Sequence, residues 1–382
     1  MKIKLTRKHL TDFVFLLILS AVWFLIGWFV RGWSLGPEVV LVEQARQELL
    51  TAYPGEAPTS RDLTLAAIRG MLRLTADPYA ALLEPEASAR FQVDFDGDNG
   101  TIGLSPEVRD GKIVVANLLP GDPAERAGLR VGDVLLSVDE VEFDEATTYT
   151  EASLLVRGPI GAPAHIVAQR DGATLTFDPV RRKRVFATAE MLDGGVAYLK
   201  QHAFTTNVAP VVEAALRELL AQNPRGLIWD LRLNGGGSME ITREILSYFV
   251  KEGLLFSAEL KDGQQRPFMA QGEALAGDIP LVVLIGPTTF SSAETAAAAI
   301  HERERGMLIG GTTYGKGTIQ TTVPLIENHL LHYSIAKWLS PSGQWFGGHG
   351  VPPDISVTDD PNTEADEVLQ FAVDYLQQLN PH

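Results

Sequence analysis

The chain has 382 residues, 45% hydrophobic and 21% charged, the balance of a globular protein with room for two or three domains rather than a disordered one. It contains no cysteine, so disulfides, thiolate metal sites and cysteine nucleophiles are excluded, and nucleophilic chemistry falls to oxygen and nitrogen. The formal net charge is −16, and since residues 1–12 carry about +3, the remainder carries about −19, which argues against nucleic acid and anionic head groups as partners.

Lys2, Lys4, Arg7 and Lys8 precede an uncharged run from Phe13 to Val30 that contains Trp23 and Trp28. At helical rise this run spans roughly 27 Å, close to the hydrocarbon thickness of a bilayer. The expectation is a cytoplasmic basic segment over 1–12 and a single transmembrane anchor over 13–30, which places everything after residue 36 on the extracytoplasmic side. A cleaved signal peptide is the weaker reading, because the run exceeds the usual apolar core of such peptides and Pro37 would follow a cut after Ser34-Leu35-Gly36.

Residues 37–95 read as an N-terminal helical region, broken at Tyr53-Pro54-Gly55 and carrying the packing pattern of Leu63 to Leu72 before Asp77-Pro78-Tyr79. From 96 to 180 the pattern changes to short strands and turns. Gly100 to Leu104, Ile113 to Ala116, and Gly121-Asp-Pro-Ala-Glu-Arg-Ala-Gly128 followed by Gly132-Asp133-Val-Leu-Leu136 resemble a PDZ domain. Such a domain takes a peptide as an added edge strand and holds its C-terminal carboxylate on backbone N–H groups of a glycine-bearing loop; Gly100, Ile102, Gly103 and Leu104 match that loop. A tight hairpin turn that binds nothing is the plain structural alternative.

The run Arg181-Arg182-Lys183-Arg184 reads as a solvated linker face. Residues 181–360 then alternate strands and helices. Val196 to Lys200 reads as a strand, Val208 to Leu220 as an amphipathic helix and Gly226 to Asp230 as a strand entering Asn234-Gly-Gly-Gly237, with a C-terminal helix in 361–382. The glycines supply unusual backbone angles at a strand-to-helix turn, and equally bare amides at a helix start, suited to a developing oxyanion. Gly310 to Lys316 has the spacing of a phosphate-binding loop, but Gly317 stands where a hydroxyl must meet magnesium and a strand follows instead of a helix. The eight histidines form no zinc-binding spacing, and neither metal nor cofactor is expected.

Ser291 lies before an alanine-rich helix, and Lys316 lies 25 residues later in a glycine-flanked turn. Taken singly, these read as a helix cap and a solvated turn. Together they can form a Ser-Lys pair, provided the lysine is desolvated enough to lose its proton and accept that of the serine.

Ser291-Ser292-Ala293-Glu294, Thr313-Tyr-Gly-Lys-Gly-Thr-Ile-Gln320, Asp230-Leu-Arg-Leu-Asn-Gly-Gly-Gly237 and Gly350-Val-Pro-Pro-Asp354 resemble the C-terminal processing peptidases, or tail-specific proteases. The resemblance runs from about 63 to 357. It implies an α/β peptidase core like those of crotonase and Clp proteases, with an inserted, mainly β PDZ domain. It further implies Ser291 as nucleophile, Lys316 as general base, Gln320 as the residue holding the lysine amine, and an oxyanion hole from the amide of Gly236 or Gly237 together with that of Ser292. The family usually reads Ser-Ala-Ser-Ala-Ser-Glu where this chain has Thr289-Phe-Ser-Ser-Ala-Glu294, which makes Ser292 a competing nucleophile. The expected function is a membrane-anchored serine endopeptidase acting on protein or peptide tails with an accessible C-terminus. The alternative is a catalytically silent PDZ scaffold; the oligomeric state stays open, a homodimer included.

Overall fold

The computed structural model describes residues 36–379 apart from 57, 361, 362 and 364, so the expected anchor over 13–30 lies outside the described residues. Among the described residues no helix is long and apolar enough to cross a membrane. The chain divides into two compact units at Leu74 and Thr75. The first holds helices α1 (Pro37–Ala52) and α2 (Ser60–Arg73). Pro37 presets the backbone angle of the first turn of α1. A reciprocal cap starts α2, the Thr59 hydroxyl accepting from the Asp62 amide at 3.1 Å while the Asp62 carboxylate accepts from the Thr59 amide at 2.9 Å.

The second unit begins with strand β1 (Ala81–Leu83) and helix α3 (Pro85–Asp96). A β-rich section follows: β2 (Leu104–Arg109), β3 (Lys112–Leu118), α4 (Pro123–Arg126), β4 (Val134–Val138), β5 (Val141–Glu142), α5 (Tyr149–Val156), β6 (Ile166–Arg170) and β7 (Ala173–Phe177). Its strands run in the order β2-β3-β4-β6-β7, with β5 on β4, around a separate core that includes Ile102, Ile113, Leu135 and Ile166.

The remainder is β8 (Ala187–Leu192), β9 (Val196–Gln201), α6 (Val208–Leu220), β10 (Gly226–Asp230), α7 (Met239–Leu246), β11 (Leu254–Leu260), β12 (Gln265–Met269), β13 (Leu281–Ile285), α8 (Ser292–Glu302), β14 (Met307–Gly310), β15 (Thr318–Pro324), β16 (Leu330–Leu339), β17 (Ile355–Ser356) and α9 (Glu367–Leu379). One sheet has the order β17-β14-β13-β10-β9-β8, parallel except for the β8–β9 hairpin. Both of its faces are covered, which explains why β10 and β13 are apolar at nearly every position. Leu281, Val283 and Ile285 enter the large core with α6, α7 and α8, whereas Val282 and Leu284 face Val368, Ala372 and Leu376 of α9.

A second, antiparallel sheet has the order β1-β16-β11-β12, with β15 on β16. The segment after Asp77, expected to belong to a helical region, therefore supplies a strand: buried Ala81 to Leu83 pair with His332 to Leu330. The basic stretch also departs from expectation. Arg181 is buried, donating to the carbonyls of Pro163 and Leu155 and to Asp139, and Arg182 pairs with Asp122, because one carboxylate or carbonyl set meets each guanidinium as it leaves the β-rich section.

Trp229 stacks on Phe249 at 4.5 Å and meets Phe204 edge-on at 6.3 Å, in the layer beneath the loop that follows β10. Trp229→Ala should cost about 3–5 kcal/mol in urea unfolding. A loss below about 1 kcal/mol would contradict this packing.

Candidate active site

Three loops meet where the parallel strands end. β10 runs into Gly235–Gly237, β13 into Ser291 and β14 into Lys316, so the site forms outside the carboxyl ends of neighbouring strands, the usual place for a site on such a sheet.

The β10 loop is held by the polar residues of its own motif. Buried Asp230 accepts from the Tyr198 hydroxyl at 2.7 Å and from Arg232, whose guanidinium also reaches Asp366 in the segment before α9. Asn234, wholly buried, donates to the Gln201 carbonyl at 3.0 Å and accepts from the Gly236 amide at 2.9 Å. Gly236 has φ +79°, and a Cβ there would lie 2.8 Å from Ser291 Cβ, so glycine lets the two backbones touch. At Gly237 (φ +150°) a Cβ would lie 2.3 Å from the Phe204 carbonyl oxygen.

Ser291 occupies φ +59°, ψ −121°, a region costly for a residue with a side chain, at the turn from β13 into α8. Strain at a strand-to-helix turn presents a serine as a nucleophile elbow does. Neighbouring bonds hold it: the Thr289 hydroxyl donates to the Leu231 carbonyl at 2.9 Å, and the Phe290 amide donates to the Asn234 carbonyl at 3.0 Å. Ser291 retains 8% exposure. Ser292 is 0% exposed, and its hydroxyl donates to the Gly237 carbonyl at 2.8 Å, so it is already engaged. Among the described residues the amides of Gly237 and Ser292 have no acceptor, whereas that of Gly236 is taken by Asn234.

Glu294, also wholly buried, joins the serine elbow to the lysine turn. One carboxylate oxygen accepts from the Ser291 amide at 2.7 Å and the Lys316 amide at 2.8 Å; the other accepts from the Thr313 hydroxyl at 2.6 Å and the Gly315 amide. Burial pushes this carboxyl above its ordinary value, opposed by those same four donors.

The Lys316 amine sits 4.4 Å from the Tyr79 ring centre and 4.9 Å from that of Phe290, the residue before Ser291. Burial pulls it from the ordinary lysine value down to about 8, while the carboxylates of Asp77 and Glu294 favour keeping its proton. Gln320, expected to hold this amine, is placed otherwise. It lies opposite Ser334 in the β15–β16 pair, and its amide nitrogen donates to the hydroxyls of Thr318 and Ser334, each at 2.9 Å. Ser334 in turn donates its backbone N–H to Asp77 at 2.8 Å, so Gln320 reaches the lysine's surroundings through that carboxylate.

Of the loop expected to hold a peptide carboxylate, the Gly100 amide donates to Gly158 and the Gly103 amide to the Thr101 hydroxyl, while the Ile102 amide has no acceptor among the described residues. The loop and β2 line a cleft of about 390 Å³ whose other wall includes Phe290 and Tyr314. Tyr149 at the start of α5 packs 6.0 Å from Phe290, which meets Tyr314 at 4.8 Å. Sequence reasoning missed Asp77, Tyr79, Phe290 and the clamping role of Glu294. The available signals were the polar Asp77 two residues before an aromatic, and a glutamate in the first turn of an alanine-rich helix.

The sequence profile of Peptidase family S41 matches residues 195–357, and that of a PDZ domain matches residues 100–179. The chain is 30% identical to the carboxy-terminal processing protease CtpA of Bacillus subtilis over 76% of its own length and 62% of that protein's. It is 31% identical to the carboxyl-terminal-processing protease of Synechocystis, covering 83% of this chain and 78% of that one. The chloroplastic C-terminal processing peptidase of Tetradesmus obliquus is also 31% identical, over 81% of this chain and 71% of the relative. Among solved structures, a photosystem II D1 C-terminal processing protease superposes with a TM-score of 0.68 at 28% identity, covering 86% of this chain and 90% of that one.

Glu294→Gln turns an NH₂ group towards two of the four donors. It should lower stability by about 2 kcal/mol or more. Because it also releases the elbow from the lysine turn, kcat for peptide cleavage should fall about 10²-fold with KM nearly unchanged. Near-normal kcat in a folded variant would contradict the clamp.

Proposed function

This chain belongs to the carboxy-terminal processing proteases, serine-type peptidases of family S41, here with a PDZ domain, and on that premise we propose that it is a membrane-tethered endopeptidase cutting protein tails with a Ser291–Lys316 dyad. The observation that carries the dyad is the Glu294 carboxylate, which accepts from the backbone amides of both residues and so couples their loops. In this reading neutral Lys316 takes the Ser291 proton as the hydroxyl oxygen attacks the scissile carbonyl carbon. The resulting oxyanion is received by the free amides of Gly237 and Ser292. Collapse breaks the C–N bond, the lysine returns the proton to the leaving amine, and water then releases the acyl group from Ser291. Gln320 acts as a positioning residue through Ser334 and Asp77.

The section over 96–180 would capture the substrate, its loop amides at Ile102 and Leu104 meeting a terminal carboxylate and β2 pairing with the tail. The peptidase core over 181–360 would cut it. The basic segment and apolar run over 1–30 would hold the catalytic part on the extracytoplasmic face of a membrane.

Ser291→Ala should lower peptide cleavage by about 10³-fold or more while leaving the unfolding midpoint unchanged, and Ser292→Ala should keep substantial activity. Near-normal turnover by Ser291→Ala would overturn the assignment.

With the amine at about 8, only about a tenth is neutral at pH 7. Activity should therefore rise with pH through that value and level off above it, and Lys316→Arg, which cannot deprotonate, should be as inactive as Lys316→Ala. An active arginine variant, or a rate falling between pH 7 and 9, would contradict the lysine as base.

Amidating the C-terminus of a tail peptide should weaken its binding to the Ser291→Ala protein about tenfold, since charge-assisted hydrogen bonds to the carboxylate are lost. Equal affinity of acid and amide would exclude the loop as a carboxylate receptor.

A further inference from the structure

The end of the basic stretch, expected to be solvated, instead turns inward. Arg184 and Arg157 both pair with Asp94, Arg184 at 3.2 Å from one carboxylate oxygen and Arg157 bonding the other. Among the described side chains, two guanidinium charges meet this one carboxylate, which leaves one positive charge without a counter-ion. The place is poorly hydrated, the three side chains being 17%, 29% and 13% exposed in the order Arg184, Arg157, Asp94. Burial, with help from Arg157, pulls Arg184 down to about 10 against the pull of Asp94.

These residues line a cavity of about 170 Å³ whose opposite wall is Gly235–Ser238, the loop packed against the nucleophile. Among the described residues, His202 Nδ1 and Thr205 Oγ1 on the same lining are buried without a hydrogen-bond partner. Unpaired buried polar atoms cost free energy, and here they gather beside an uncompensated charge. The cavity also shares Arg157, Arg184 and His202 with the larger cleft under β2, so a peptide lying in that cleft meets the arginines.

We propose that this cavity is a substrate subsite for a carboxylate, built by Arg157 and Arg184 across from the glycine loop. It rests on the peptidase reading above and adds a substrate class to it. One net charge suits a carboxylate rather than a phosphate dianion, and the planar guanidinium fork matches its two oxygens. The carboxylate can come from an Asp or Glu side chain flanking the scissile bond or from the substrate's own C-terminus.

The test uses the full chain in detergent and one reporter peptide whose cut is first mapped by mass spectrometry. The peptide is made with Glu, Gln or Lys beside the cut, and with a free or amidated C-terminus. For a side-chain carboxylate, Glu should exceed Gln in kcat/KM about tenfold or more in the parent. The Glu/Gln ratio should fall towards one in Arg184→Gln, and Arg184→Glu should invert the preference so that the Lys peptide is cut best, an exchange that simple loss of structure does not produce. For a terminal carboxylate, the penalty of amidation should disappear in Arg184→Gln; if that penalty persists there and the Glu/Gln ratio is near one in the parent, the proposal fails and the loop at Ile102 alone reads the terminus. Ratios unchanged by both Arg184 variants would overturn it as well. Should the parent cut none of the peptides, the peptidase reading falls, and the subsite with it.

Discussion

The site depends on one buried carboxylate. Glu294 sits in the first turn of α8, where an anion is favoured by the helix dipole, and it meets donors from both sides of a gap that the sheet alone would leave open. Its two oxygens receive three backbone N–H groups and one hydroxyl, so the elbow after β13 and the turn after β14 cannot shift independently. A buried carboxylate is tolerated only when its lone pairs are filled, and here the filling groups include the amides of Ser291 and Lys316, the pair proposed to react.

The strain at Ser291 makes sense in this light. A positive φ at a residue with a side chain persists only when its surroundings over-determine it. The Thr289 hydroxyl, the Asn234 carbonyl and the close contact with Gly236 do so, and each comes from the adjoining loops. The Asp-Leu-Arg-x-Asn motif is thus scaffolding for a glycine turn: Asp230 and Arg232 tie it to β9 and to the segment before α9, and Asn234 takes the Gly236 amide so that Gly237 is the one left free. Lys316 is handled differently: it is buried among aromatic rings, and the burial weakens its hold on a proton.

Much of this was legible in the sequence wherever the signal was local. The spacing of Ser291, Glu294 and Lys316, the triple glycine and the apolar strands of the parallel sheet lie in short stretches whose chemistry is visible without a fold. The sequence does not show that the Ser292 hydroxyl meets the Gly237 carbonyl or that the Gly236 amide meets Asn234, because the first bond crosses between loops and the second depends on the fold of the glycine turn. Asp77 and Tyr79 were invisible as site residues because they reach Lys316 through the pairing of β1 with β16, a contact across most of the chain. Gln320 was misplaced because its position in a strand pair, which the motif does not encode, turns it to Ser334. The run 181–184 misled through composition: four clustered cations usually mean a wet surface, yet here Asp139, Asp122 and Asp94 draw three of them inward.

The central claim is that Ser291, held by Glu294 and served by Lys316, forms the acyl-enzyme. Acid-quenching a reaction with an activated peptide ester and locating the adduct by tandem mass spectrometry tests it most directly. The account predicts a single acyl group on Ser291, absent from Lys316→Arg. Acylation of Ser292, or an adduct on Ser291 that forms equally fast without the lysine, would contradict it.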